Sequence, residues 1–337
     1  MENEIFITWP QLVFLSVSAL ALSCAGTFFL PNFLKKIGLV DKPNKRSNHK
    51  KIVARGGGIA VIGTFVLVFS IMTYQYLSFL WPVLVSGIFL ALISFIDDIK
   101  PLHPILRLLS QIIACGFILI QPHQPLFGDF FPAWLDSAIV VFLWVWFINL
   151  YNFMDGIDGI TCSETISICV GICLISIFAS FPPEIGVISF LLALCCIGFM
   201  PFNWHPAKIF LGDVGSVPLG FFIGWMLLVL AMYGYWQAAI ILPIYYLADS
   251  GITLFKRILN REKIWEAHSK HFYQIAVRAG LKHSTVVLII SAFNLIFVAL
   301  ALASSMHNSY ALIYLIIASI LSFILLYYLK QNEKSSK

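Results

Sequence analysis

The sequence predicts an all-α, polytopic membrane protein. Three observations carry that prediction: the composition, the spacing of the apolar runs, and the side on which the cations fall. Of 337 residues, 60% are hydrophobic and only 11% are charged, and the mean hydropathy is +0.92. Soluble domains carry about 25% charged residues. So thin a polar shell excludes a disordered tail, a nucleic-acid binder built on surface Lys and Arg, and an ordinary water-facing enzyme.

A hydrocarbon core about 30 Å thick takes around 20 apolar residues per helix. Eleven runs approach that length, at 9–30, 57–74, 79–96, 105–121, 134–150, 161–180, 185–200, 214–232, 236–255, 284–304 and 310–329. They are too apolar to alternate as barrel strands, and a spanning segment must satisfy its own backbone hydrogen bonds, so each is expected to be a helix. The chain is then a single integral membrane domain over 1–337, with about 11 transmembrane helices. The first run is expected to be permanent, because the acidic start Met-Glu-Asn-Glu has no positive n-region.

Orientation follows from the cations. With the N-terminus outside and the C-terminus cytoplasmic, the inner segments are 31–56, 97–104, 151–160, 201–213, 256–283 and the tail after 329. All 21 Lys and Arg residues fall in these segments, except Arg107 in the first turn of the adjoining run. The outer segments carry no Lys or Arg and instead have Glu2, Glu4, Asp129, Asp136 and Glu184 near their edges. That is the positive-inside pattern, and Trp9, Trp81, Trp134 and Trp236 sit at outer ends as an aromatic belt would. The seven cysteines lie inside apolar runs without a C-x-x-C pair, which marks them as packing thiols.

The remaining polar residues include an arrangement that a bundle does not require. Asp97 and Asp98 close the third run, Asp155 and Asp158 follow the fifth, and Asp213 precedes the eighth. Five carboxylates therefore converge on the inner face, with only Lys100, Arg107 and Lys208 in the same short loops. Clustered carboxylates repel one another, and a hard cation with oxygen ligands, Mg2+ or Mn2+, would relieve them. Asp213 alone reads equally well as a helix cap. From Asn149 through Asn152, Asp155 and Asp158 a polar side chain recurs every third residue, a slowly drifting stripe on a helix. Gly156 and Gly159 suggest that this helix opens into a turn where backbone can approach a ligand. Lys50, Lys51 and Arg55 run into Gly56-Gly57-Gly58, a combination suited to phosphate beside exposed amides. His268 and His271, at i and i+3, are expected to share a helix face and hydrogen-bond phosphate. Asp249 lies inside the ninth run, which makes it a functional candidate with no evident partner.

Taken in order, His49-Lys50 through Gly58, Phe95-Ile-Asp97-Asp98, Asn149 through Gly159, Phe210-Leu-Gly-Asp213-Val-Gly-Ser216 and His268-Ser-Lys-His271 resemble the polyprenyl-phosphate N-acetylhexosamine-1-phosphate transferases. The resemblance covers roughly 41–282. It implies a reaction between UDP-N-acetylhexosamine and undecaprenyl phosphate that gives undecaprenyl-diphospho-sugar and UMP. It also implies Asp97 and Asp98 as catalytic residues and Asp213 with Asp155 as magnesium ligands. Lys51, Asn149, Asn152, Asp155, Asp158, His268 and His271 would bind substrate. Direct attack of the lipid phosphate is favoured, with an aspartyl-phosphate intermediate as the alternative. Arg261-Glu-Lys263 and Phe272-Tyr-Gln resemble the branch that starts O-antigen chains, while the last motif is poorer in histidine than is usual. The implied partners are the two substrates and membrane lipids, with no nucleic acid; a homodimer is compatible with them. A phospho-muramoyl-pentapeptide transferase is the neighbouring reading. A secondary transporter is the reading from another class, but it should hold its acids near mid-membrane rather than at one face.

Overall fold

The computed structural model describes residues 7–41, 43, 52–75, 77–121, 124–263 and 268–335. Each of the eleven apolar runs is helical. In chain order the long helices are α1 (Trp9–Lys36), α2 (Gly58–Gln75), α3 (Trp81–Ile99), α4 (Pro104–Leu119), α5 (Ala133–Phe153), α6 (Ile160–Phe178), α7 (Pro183–Asn203) and α8 (Asp213–Leu230). There follow α9 (Trp236–Ile241), α10 (Ile244–Leu259), the short α11 (Phe272–Arg278), α12 (His283–Met306) and α13 (Ala311–Ser335). Proline opens several of them: Pro10 in α1, Pro82 in α3, Pro104 in α4 and Pro183 in α7. The first turn has no intrahelical use for the missing N–H, so proline costs nothing there.

Among the described residues, nine helices are long and apolar enough to cross a membrane, against the eleven expected. The run at 105–121 gives the 16-residue α4, which falls short of that length. The run at 236–255 is not one helix. It breaks at Leu242 and Pro243 into α9 and α10, because a proline ring cannot continue the helix before it. Gly234, at φ +90°, ends the helical stretch that begins with α8, a conformation that only glycine adopts cheaply.

α8 is the central helix. It packs on α5, α3 and α2, and nearly every side chain from Val214 to Leu227 is buried. α6 joins α7 and α12, α1 covers α7 and α2, and α13 lies over α12 and α11. A buried polar bond ties α6 to α12, where Asn294 donates to Glu164 at 2.6 Å. Outer helices expose large apolar side chains such as Phe14, Phe28, Ile316 and Phe323, a surface that suits hydrocarbon. The seven cysteines are free thiols.

One departure from an all-helical chain matters for the site. Three very short strands, β1 (Val40–Asp41), β2 (Val53–Arg55) and β3 (Ile209–Phe210), form a small sheet in the order β1-β2-β3. β1 pairs with β2 antiparallel, and β2 with β3 in parallel. This sheet fastens the start of α2 to the start of α8.

Candidate active site

The base of the site is a close backbone contact. The amides of Gly56 and Gly57 donate to the Phe210 carbonyl at 3.2 and 2.8 Å, and that of Gly58 to Leu211 at 2.8 Å. These amides are therefore committed to the fold, and not exposed for phosphate as the sequence suggested. A Cβ on Gly58 would lie 2.2 Å from the Cα of Gly215. Glycine at both positions is what lets α2 meet α8.

Asp98 reaches across from the end of α3 and caps α8. Its carboxylate accepts from the backbone amides of Asp213 at 3.2 Å and Val214 at 2.9 Å, and pairs with Arg55 at 2.8 Å. An anion at a helix N-terminus satisfies orphan amides and meets the positive end of the dipole. With the cap supplied by Asp98, the Asp213 carboxylate is free to turn outward. It pairs with Arg55 at 2.8 Å and lies 4.0 Å from Arg107. Although burial opposes its charge, Asp213 and Asp98 hold the Arg55 guanidinium above its ordinary pKa.

Asp97, one residue earlier on α3, faces differently. It accepts from the Leu102 amide at 2.6 Å and from Arg107 at 3.2 Å, and its carboxylate lies beside that of Asp213. Asn149 is held on α5 by Gln111 of α4, to which it donates at 2.6 Å. Asn152, one turn on, accepts from the Ser216 hydroxyl at 2.7 Å.

These side chains divide two cavities. A polar one of about 310 Å³ is lined by Arg55, Asp155, Asp158, Asn203, Gln274 and His283, among others. A second, of about 350 Å³, holds Asp97, Arg107, Gln111 and Asn149 among apolar walls that include Trp146, Phe153 and Leu254. Asn152 and Asp213 line both. Trp146 also lines an apolar cavity of about 550 Å³ between α5, α8, α9 and α10. Asp98 lines none of the three.

The expected turn after α5 is present. α5 ends at Phe153, and Gly159 takes φ +79° before α6. A Cβ on Gly156 would lie 2.1 Å from the Tyr273 hydroxyl, so glycine lets α11 seat against this loop. Burial is the main influence that pushes the Asp155 carboxyl up to about 7; a bond from Thr161 opposes it and the Asp213 charge adds to it. Asp158 behaves oppositely. Burial opposes its charge, but bonds from His283 and His205 hold it below the ordinary carboxylate range. Asp158 Oδ2 lies 2.6 Å from His205 Nδ1 and 3.3 Å from His283 Nδ1, and accepts from the Ala207 amide at 3.2 Å. It thus ties the α5–α6 loop to the segment before β3 and to the start of α12.

Asp249 has its partner. Its Oδ1 lies 3.0 Å from His271 Nδ1 and accepts from the Phe272 amide at 3.1 Å, while Oδ2 accepts from the Tyr245 hydroxyl at 3.1 Å and the Tyr273 amide at 3.3 Å. It therefore caps α11 and orients His271, whose buried Nε2 has no partner among the described residues. His268 and His271 do not share a helix face as expected. His271 precedes α11 and His268 lies in the loop before it, though their rings stack at 4.9 Å. Neither lines the polar cavity; Gln274, bonded to the His271 amide at 3.3 Å, does. Lys51 lies outside the described residues.

Of the expected site residues, Asn152, Asp155, Asp158 and Asp213 meet in one cavity, and Asp97 and Asn149 in its neighbour. Sequence reasoning missed His205, His283, Gln111 and Gln274. None belongs to a recurring polar pattern, and only the fold brings it to the site. The donor set also bears on a metal. Among the described residues Asp41, Asp97, Asp98, Asp155 and Asp213 lie near Arg55 and Arg107, five carboxyl groups against two guanidiniums. That surplus, made only of oxygen donors, fits a hard divalent cation.

The chain is similar to several known proteins. The family described as glycosyl transferase family 4 matches residues 80–231, from the start of α3 to the end of α8. A probable undecaprenyl-phosphate N-acetylglucosaminyl 1-phosphate transferase of Bacillus subtilis is 28% identical over 285 residues, 78% of this chain and 76% of the relative. An undecaprenyl-phosphate alpha-N-acetylglucosaminyl 1-phosphate transferase of Thermotoga maritima is 27% identical over 305 residues, 88% of this chain and 93% of the relative. A phospho-N-acetylmuramoyl-pentapeptide-transferase of Caldicellulosiruptor bescii is 27% identical over 301 residues, 80% of this chain and 89% of the relative. Over most of its length the chain is thus similar to polyprenyl-phosphate sugar-1-phosphate transferases, and over 80–231 to glycosyl transferase family 4.

Proposed function

We propose that this enzyme transfers an N-acetylhexosamine 1-phosphate from its UDP-sugar to undecaprenyl phosphate and releases UMP. It does so at the cytoplasmic face of a bacterial inner membrane, as the first step of a lipid-linked envelope glycan of the O-antigen kind. The observation that carries this reading is the shared wall. A polar cavity and an apolar-walled one meet at Asn152 and Asp213, as a water-soluble donor and an amphiphilic acceptor require. The placement of the Lys and Arg residues in the inner segments of the sequence, with Arg107 beside one of them, supports the cytoplasmic side.

The chemistry is a displacement at phosphorus. An oxygen of the lipid phosphate attacks the sugar-linked phosphorus; a new P–O bond forms, the P–O bond to UMP breaks, and UMP leaves with the bonding electrons. A phosphate monoester with a second pKa near 6 is already mostly dianionic at pH 7, so no strong base is needed. Asp97 and Arg107 sit where they can orient that phosphate, and Arg55 can neutralise charge on the donor. Asp98 is a positioning residue that fixes the start of α8. Asp213 and Asp155, with Asp97 adjoining, would hold Mg2+ or Mn2+, which supplies charge neutralisation for the transferring phosphoryl group. Asn152, Asp155 and Asp158 would hold the nucleotide sugar. The large apolar cavity that Trp146 joins to the acceptor side would take the first isoprene units.

Incubating membranes with undecaprenyl phosphate, magnesium and a panel of UDP-sugars tests this. The panel includes N-acetylglucosamine, its 6-deoxy relatives and the muramoyl pentapeptide. UMP and a lipid-linked sugar are expected from an N-acetylhexosamine donor; product from the muramoyl pentapeptide alone would move the chain to that branch, and no product from any donor would overturn the reading.

A further inference from the structure

Away from the catalytic cavities, the inner ends of α10 and α13 enclose a space of about 300 Å³ with α11. Five cations line it: Lys256 and Arg257 from α10, Lys270 from the following loop, Arg278 from α11 and Lys330 from α13. Glu262 is the one carboxylate in the lining, and it is taken by Arg257 and Lys270. Lys256, Arg278 and Lys330 have no carboxylate partner among the described residues; Lys256 rests over the Phe272 ring at 4.7 Å, and Arg278 donates to the Ser269 hydroxyl at 3.2 Å. A general excess of inner cations spreads lysines along a face. Here residues up to 74 positions apart, 256 to 330, turn into one concavity.

We infer that this cavity binds the phosphate headgroup of an anionic phospholipid. The space shares no lining residue with the polar or the apolar-walled catalytic cavity, so it is not an extension of the donor site. Its position selects a lipid over a soluble phosphate. The same helix ends carry an outward apolar collar, with Phe255 and Leu259 on α10 and Tyr327 on α13 exposed at 62%, 66% and 64%. Acyl chains can lie along that collar while the headgroup enters from the interface. Basic pockets between transmembrane helices on the inner side recognise anionic headgroups in this way. A seated lipid would join α10, which carries Asp249, and α11, which follows His271, to α13.

Native mass spectrometry and thermal melting of the full-length protein in non-ionic detergent test the inference. The probes are dioleoylphosphatidylglycerol, dioleoylphosphatidylcholine and, without acyl chains, sn-glycerol 3-phosphate. The expected result is a retained phosphatidylglycerol with roughly tenfold preference over phosphatidylcholine, unaffected by saturating UDP and lost in the Lys256→Gln/Lys330→Gln variant. Arg278→Gln, on the exposed side of α11, provides a second variant in which the preference should fall. Equal binding of both lipids, retention of the preference in both variants, equal protection by sn-glycerol 3-phosphate, or displacement by UDP would each overturn it.

Discussion

Replacing Asp98 with asparagine separates positioning from chemistry. The Asp98 carboxylate is fully buried, accepts two amides of the α8 N-terminus and pairs with Arg55. Asparagine is nearly isosteric, but it keeps one acceptor oxygen and no charge. Loss of a cap costs about 0.5–2 kcal/mol, and loss of a partly buried negative charge at a helix N-terminus costs up to about 2 kcal/mol. Arg55 is not stranded, since it retains Asp213 at 2.8 Å, so the total should be about 2–3 kcal/mol. The expected result is a clear drop in melting temperature in detergent together with slower UMP release, because the start of α8 carries Asp213. Asp213→Asn should do the reverse. Among the described residues its carboxylate accepts no backbone amide, so melting should barely move while UMP release is lost. Wild-type melting in Asp98→Asn, or a larger melting loss in Asp213→Asn than in Asp98→Asn, would refute this division of roles.

Three further outcomes follow from the same geometry. Gly58→Ala should prevent a monodisperse folded preparation on size exclusion, because its Cβ would meet Gly215 backbone at 2.2 Å, whereas Gly63→Ala, with no atom within 4 Å, should behave as wild type. Trp146→Ala, which removes apolar surface shared by the Asp97 cavity and the large apolar cavity, should raise KM for a long-chain polyprenyl phosphate roughly tenfold and leave KM for the UDP-sugar unchanged. Burial, then the neighbouring charges of His271 and Arg257, hold the His268 pKa down to about 4. The unfolded chain therefore takes up a proton near pH 6.5 that the fold refuses, so stability declines as pH falls from about 6.5 toward 4 and then levels. His268→Gln should flatten that decline in a melting-versus-pH series.

The helices were legible because every apolar run needed about 20 residues and an internally bonded backbone, and both properties are written in the local sequence. The break at Pro243 was less visible, because apolar residues on both sides disguised it as one run. Strands of two or three residues have no readable period, so β1, β2 and β3 could not be foreseen. The inner acids stood out because charge is rare in this chain, yet their division of labour did not. Asp97 and Asp98 are adjacent, and which one caps α8 depends on how the end of α3 meets Gly212 and Val214. Asp249 looked solitary for the same reason: its partner His271 is 22 residues away, across a loop.

The central claim, that a sugar phosphate crosses from the polar cavity to the lipid side at Asp213, is tested most directly by isotopic label. UDP-N-acetylhexosamine carrying 32P in either the nucleoside-linked or the sugar-linked phosphate would be given with undecaprenyl phosphate. The account predicts that only the sugar-linked label enters the lipid, that the other leaves as UMP, and that Asp213→Asn transfers neither. Release of UDP with an unlabelled lipid-linked sugar, or undiminished transfer by Asp213→Asn, would contradict it.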